Sequence, residues 1–202
     1  MGLNVFGTVK DRFLYELFAV NGAGSDSLNL NKSFLTGARF TYFAMGKDDL
    51  STADIDYSET PIIAISTFGA YDKADGNIPA RGARGDNTFR MGGDMTFKYK
   101  GFSFVPEAIL FWNKTQSSKD YALSAQSGYF VIPKKLEVAA QGTYINFSGT
   151  DNNRQEYSGG INYYFYGQPV KIQADYSYLV TNVAGPDQKD HRLRVNFQMG
   201  FF

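Results

Sequence analysis

From Leu193 to Phe201 every second residue is apolar: Leu193, Val195, Phe197, Met199 and Phe201 alternate with Arg194, Asn196 and Gln198. A period of two belongs to the β-strand, whose successive side chains point to opposite faces. One face therefore meets an apolar medium and the other meets water. Thr88 to Lys100 repeats the pattern, with Phe89, Met91, Met95, Phe97 and Tyr99 opposed to Arg90, Asp94, Thr96, Lys98 and Lys100, interrupted only by Gly92 and Gly93. The alternation from Phe89 to Tyr99 has the length of a tilted membrane-spanning strand, about 9–11 residues. No helical period of useful length competes with it.

A chain of 202 residues accommodates one all-β domain, and 14 Tyr, 18 Phe and 21 Gly suit half-buried pleated surfaces and turns. The 20 basic and 20 acidic residues cancel, which gives no reason to expect a nucleic-acid partner. Cysteine is absent, so disulfides and thiolate metal sites are excluded. The longest uncharged run, Tyr157 to Val170, is 14 residues and holds three Gly. A spanning helix needs about 20 apolar residues, whereas a barrel strand needs only every second one. Met1 is followed by strand-like Gly-Leu-Asn-Val-Phe with no export signal, so a secreted product is expected to be a processed or re-engineered form.

Taken in order, alternation predicts eleven strands: 3–9, 12–20, 34–45, 62–71, 88–100, 102–113, 122–132, 136–147, 156–166, 170–180 and the last, centred on 193–202. The fourth is ambiguous in phase because Ile62, Ile63 and Ile65 are all apolar. Pro106 cannot donate a ladder hydrogen bond and is expected at a bulge or an edge-like position. Short turns at 10–11, 100–101, 133–135 and 167–169 alternate with polar loops near 21–32, 75–87, 114–120, 148–154 and 185–190. Brief turns at one end and longer loops at the other are the asymmetry of outer-membrane barrels. Aromatic residues gather beside the short turns, at Tyr99 and Phe102, Tyr129 and Phe130, and Tyr163 to Tyr166.

The terminal strand ending in Phe201-Phe202 resembles the closing strand of bacterial outer-membrane β-barrels. Asp54-Ile-Asp-Tyr-Ser-Glu-Thr-Pro61 before an apolar strand, and Gly160-Ile-Asn-Tyr-Tyr-Phe165, resemble segments of the phosphate-selective porin O and P family. That resemblance implies an antiparallel transmembrane up-and-down β-barrel, of which about 11–12 strands are seen in residues 1–202. The family's barrel has about sixteen strands around an aqueous channel. Eleven strands leave the first and last running the same way, so the expectation is the C-terminal portion of a larger porin barrel, with a compact twelve-strand barrel as the competing possibility.

The candidate pore-lining cations are Arg12, Arg39, Arg90, Lys98, Lys100, Lys171, Arg192 and Arg194, set against Glu16, Asp94, Glu107, Glu137 and Asp175. Fixed positive charge on a low-dielectric wall attracts anions. Ordinary internal charge pairing is the plainer alternative for each of them. Arg81 and Arg84, in a Gly-rich loop, could meet lipopolysaccharide phosphates or simply be solvated. His191, beside Asp190, has no nucleophile or carboxylate set with it, so catalysis is not expected, and neither a metal nor a cofactor is. The expected function is an outer-membrane porin passing small hydrophilic solutes with mild anion preference. The alternative is a structural outer-membrane barrel with a narrow or plugged lumen. Expected partners are outer-membrane lipid, lipopolysaccharide and small hydrophilic or anionic solutes, and the resemblance implies a homo-oligomer.

Overall fold

Alternating segments that follow one another through turns pair most easily with their immediate neighbours. A computed structural model describes residues 2–21, 34–47, 50–73, 87–114, 117–148, 152–182 and 186–200 of this chain. Its strands are β1 (Gly2–Val9), β2 (Phe13–Asn21), β3 (Phe34–Met45), β4 (Ile62–Asp72), β5 (Thr88–Tyr99), β6 (Phe102–Asn113), β7 (Ser118–Ile132), β8 (Leu136–Asn146), β9 (Asn153–Tyr166), β10 (Val170–Asn182) and β11 (Gln188–Met199). They form one barrel-like sheet in sequence order, every neighbouring pair antiparallel. Among the described residues there is no helix, and β1 is not paired with β11. With ten antiparallel steps between them, β1 and β11 run in the same direction.

The sheet curls. Arg39 on β3 reaches across β4 to Asp94 on β5 at 2.6 Å, and Arg192 on β11 reaches across β10 to Glu156 on β9 at 2.6 Å. Both contacts lie on the concave side, which also carries Thr41, Ser66, Thr96, Lys98, Ser103, Glu137 and Ser177, all buried. The convex side carries Leu17, Phe40, Ile65, Met91, Leu110, Leu123, Val138, Ile161, Tyr176 and Val195, all exposed. A water-soluble sheet would place these sets the other way round. On β4 the register resolves the phase: Ala64 and Ser66 face inward and Ile65 outward, 51% exposed.

Three local expectations are corrected. Pro106 lies in an interior strand with no bulge: the β5–β6 register is the same on both sides, and only the pairs that Met95 and Thr96 would make are missing. The missing amide hydrogen removes a rung without shifting the frame. The last strand begins at Gln188, and β7 begins at Ser118, four residues earlier than the apolar pattern. Their first residues are polar on both faces, yet the backbone ladders continue to Thr181↔Gln188 and Asn113↔Ser118. The terminal pair Phe201-Phe202 lies outside the described residues.

The connection between β3 and β4 breaks the rhythm of the chain. It lies at the short-turn end, where the other connections are two to three residues, yet it spans 46–61. Part of it turns inward over the concave face.

Candidate solute passage on the concave face

Asp54 anchors that inward segment. Its carboxylate, 1% exposed, accepts the backbone N–H of Gly101 at 2.7 Å, the N–H of Ser58 at 3.0 Å and the Ser58 hydroxyl at 2.6 Å. A buried carboxylate is tolerable only with its lone pairs so occupied. The Lys100 N–H donates to the Ser58 carbonyl at 2.9 Å, and Tyr57 takes a positive φ of 58° to lie against Gly101. Beside Asp54, Ala53 packs with Phe130 and Tyr164, flanked by Ile55 and Tyr57. This small cluster lies inside the curl at the short-turn end, and Phe43 and Ala64 are buried apart from it.

A polar cluster continues beneath it. The Tyr164 hydroxyl donates to Glu137 at 2.6 Å, Asn162 donates to the same carboxylate at 2.8 Å, and Gln173 donates to Asn162 at 2.9 Å. Glu137 is 2% exposed, so its carboxylate faces no open water and is held by these neutral donors, with the Lys171 ammonium as a nearby charge. Along the β9–β11 wall, Arg192 bonds Glu156 and Arg194 bonds Asp175 at 2.7 Å, with Arg194 also 3.9 Å from Glu156. Two guanidiniums and two carboxylates share one patch and cancel.

The eight candidate cations divide by environment. Arg12 and Lys100 sit in the turns at the rim rather than on the inward rows of strands, and Lys100 lies over the Tyr99 ring. Lys98 faces inward but is 2% exposed, its ammonium donating to Ser51 at 2.7 Å under the inward segment. Arg39 faces inward and is held by Asp94. Arg90 projects on the Asp94 face of β5, exposed near the loop end, over the Phe111 ring. Lys171 donates to Gln168 at 3.0 Å and lies over Tyr164. Arg192 and Arg194 form the neutralised patch. The cations are therefore not one ladder, and the inward carboxylates Glu107, Glu137 and Glu156 offset them. The loop arginines Arg81 and Arg84 lie outside the described residues.

No family model matches this chain, and no curated protein or solved structure does either. Nothing beyond the short stretches Asp54 to Pro61 and Gly160 to Phe165 links the chain to phosphate-selective porins. One of them, Asp54 to Pro61, is the inward segment and its exit into β4. Sequence reasoning singled out its wording but not its position. The legible signal was a long, irregular connection at the end where brief turns prevail. His191 faces outward between Tyr176 and Tyr178, hydrogen-bonded to the Tyr176 hydroxyl. Among the described residues no group of His, Cys, Asp and Glu is arranged to hold a metal.

Proposed function

We propose that this chain forms the wall of an outer-membrane β-barrel whose concave face borders an aqueous path for small hydrophilic solutes. One observation carries the reading: exposed hydrocarbon covers the convex face while charge, amide and hydroxyl groups fill the concave one. In water that arrangement leaves a large apolar surface uncovered. In a bilayer it satisfies both solvents. Of the aromatic rings beside the short turns, Phe102, Tyr129, Tyr163, Phe165 and Tyr166 are exposed and suit a membrane interface, whereas Phe130 and Tyr164 are buried. Since the inward cations are largely matched by carboxylates, the anion preference is mild at most. Outer-membrane lipid and lipopolysaccharide are the surrounding partners in this reading, and assembly into oligomers with further copies belongs to it as well.

A second reading has its own support. The Asp54 segment covers part of the concave face, which favours a narrow or plugged barrel serving the envelope as a scaffold. Planar-bilayer recording of refolded protein separates the two. Stepwise ohmic currents are the outcome expected for the pore, and electrical silence from protein shown to be folded would favour the scaffold.

A further inference from the structure

Next to the inward segment lies a polar chamber of about 250 Å³, bounded by β3, β5, β6, β7 and β8 and closed on one side by Leu50 and Thr52. Its floor is a cross-strand lattice. Asp94 is directly opposite Glu107, Glu107 opposite Ser124, and Gln126 opposite Gln141. Like charges directly opposite one another on neighbouring strands repel. Here Arg39 occupies Asp94 at 2.6 Å and leaves Glu107 with no ion pair or side-chain hydrogen bond among the described residues. Ser124, Gln126 and Gln141 likewise present hydroxyl and amide groups with no side-chain hydrogen bond to the described protein, and Gln141 is exposed to the concavity.

The geometry points to a binding subsite for a neutral polyhydroxylated solute, of the sugar class, at this chamber. An anion meets two carboxylates and a guanidinium already engaged by one of them, so phosphate-like solutes are disfavoured. A divalent cation finds no grouping of three ligating side chains among the described residues. A sugar hydroxyl is both donor and acceptor, and the two primary amides, Glu107 and Ser124 supply both complements at neighbouring positions. The Leu50 and Val105 side chains give the chamber an apolar margin against which ring carbons can lie. Loose binding of this kind suits passage, because a solute must enter readily and leave readily. The inference rests on the aqueous-path reading and sharpens its solute class.

Its test uses equilibrium dialysis of radiolabelled glucose against the full chain folded in detergent, which needs no conduction. Saturable uptake is expected, weakened roughly tenfold by the pair Gln126→Ala and Gln141→Ala, as for the loss of one or two hydrogen bonds. Glu107→Gln, which keeps the shape, guards against a misfolded double variant and should weaken uptake as well. Uptake that is absent, that is unaltered in both folded variants, or that inorganic phosphate competes away at equal concentration overturns the subsite. Bilayer currents from the same preparation report separately on the path. Currents without glucose uptake defeat this inference alone, and uptake without currents defeats the path while leaving the site.

Discussion

The carboxylate of Asp54 accepts the amide hydrogen of Gly101, 47 residues further along the chain, at 2.7 Å. This bond fastens the inward segment to the β5–β6 turn. The Ser58 N–H and hydroxyl bonds fold the segment around the same carboxylate. Asp54→Ala removes both acceptor oxygens and leaves three donors unpaired, a loss of about 3 kcal/mol. The urea midpoint in detergent is expected to fall, and single-channel conductance in bilayers to rise as the segment loosens. A folded variant with unchanged conductance would show that the segment does not limit the path.

Gly101 tests the same contact from the other side. Its φ is +80°, and a Cβ there would stand 2.5 Å from the Tyr57 ring. Gly101→Ala therefore combines left-handed backbone strain with a clash and should cost about 1–3 kcal/mol. Gly159 on β9 is the control, since an added Cβ meets nothing within 4 Å. Gly159→Ala should be neutral or stabilising by up to about 1 kcal/mol, because alanine loses less chain entropy in a strand. Equal effects at the two positions would remove the claim that the inward segment is tightly seated.

Arg39 and Asp94 set the local charge beside the chamber. In Arg39→Ala the Asp94 carboxylate is left facing Glu107 with no counter-charge. Reversal potentials in a salt gradient are expected to shift toward potassium over chloride, and Arg39→Ala with Asp94→Ala should bring them most of the way back. Selectivity that ignores both substitutions would place these groups away from the conducting path.

Ile161 lies mid-strand on β9, faces outward and is 52% exposed. In the proposed bilayer setting a lysine there would sit in hydrocarbon and cost about 2–4 kcal/mol in membrane stability. Ile161→Lys should fold poorly into lipid vesicles, as read by heat-modifiable gel mobility. Thr143→Lys, at an inward position of β8, should fold far better.

Much of the architecture was legible because a period of two survives any tertiary context in which the two faces meet different media. All eleven strands overlap the segments that alternation marks, and β6 matches to the residue, Phe102–Asn113, but β7, β9 and β11 begin three to five residues before the pattern. The starts of β7 and β11 were not legible. Ser118 to Asp120 and Gln188 to Arg192 lie where strands rise out of the apolar band, so both faces are polar and the pattern fades while the ladder persists. The candidate site was less legible. Arg12 and Lys100 read as strand residues by phase, but one belongs to a turn and the other ends one. Lys98 was in phase and inward, yet whether it meets water depends on Ser51 and the segment carrying it, a contact 47 residues away that periodicity does not encode.

In the proposed membrane setting, adjacent residues of these strands meet two different solvents. Ala140 and Gln141 on β8 are both exposed, Ala140 on the convex face and Gln141 on the concave one. The chain has no native cysteine, so Ala140→Cys and Gln141→Cys can each carry a single nitroxide label in protein folded into vesicles. Spin relaxation should be dominated by oxygen, which concentrates in lipid, at position 140, and by a water-soluble nickel chelate at position 141. Equal access of the chelate to both labels, or the reverse order, would contradict the account.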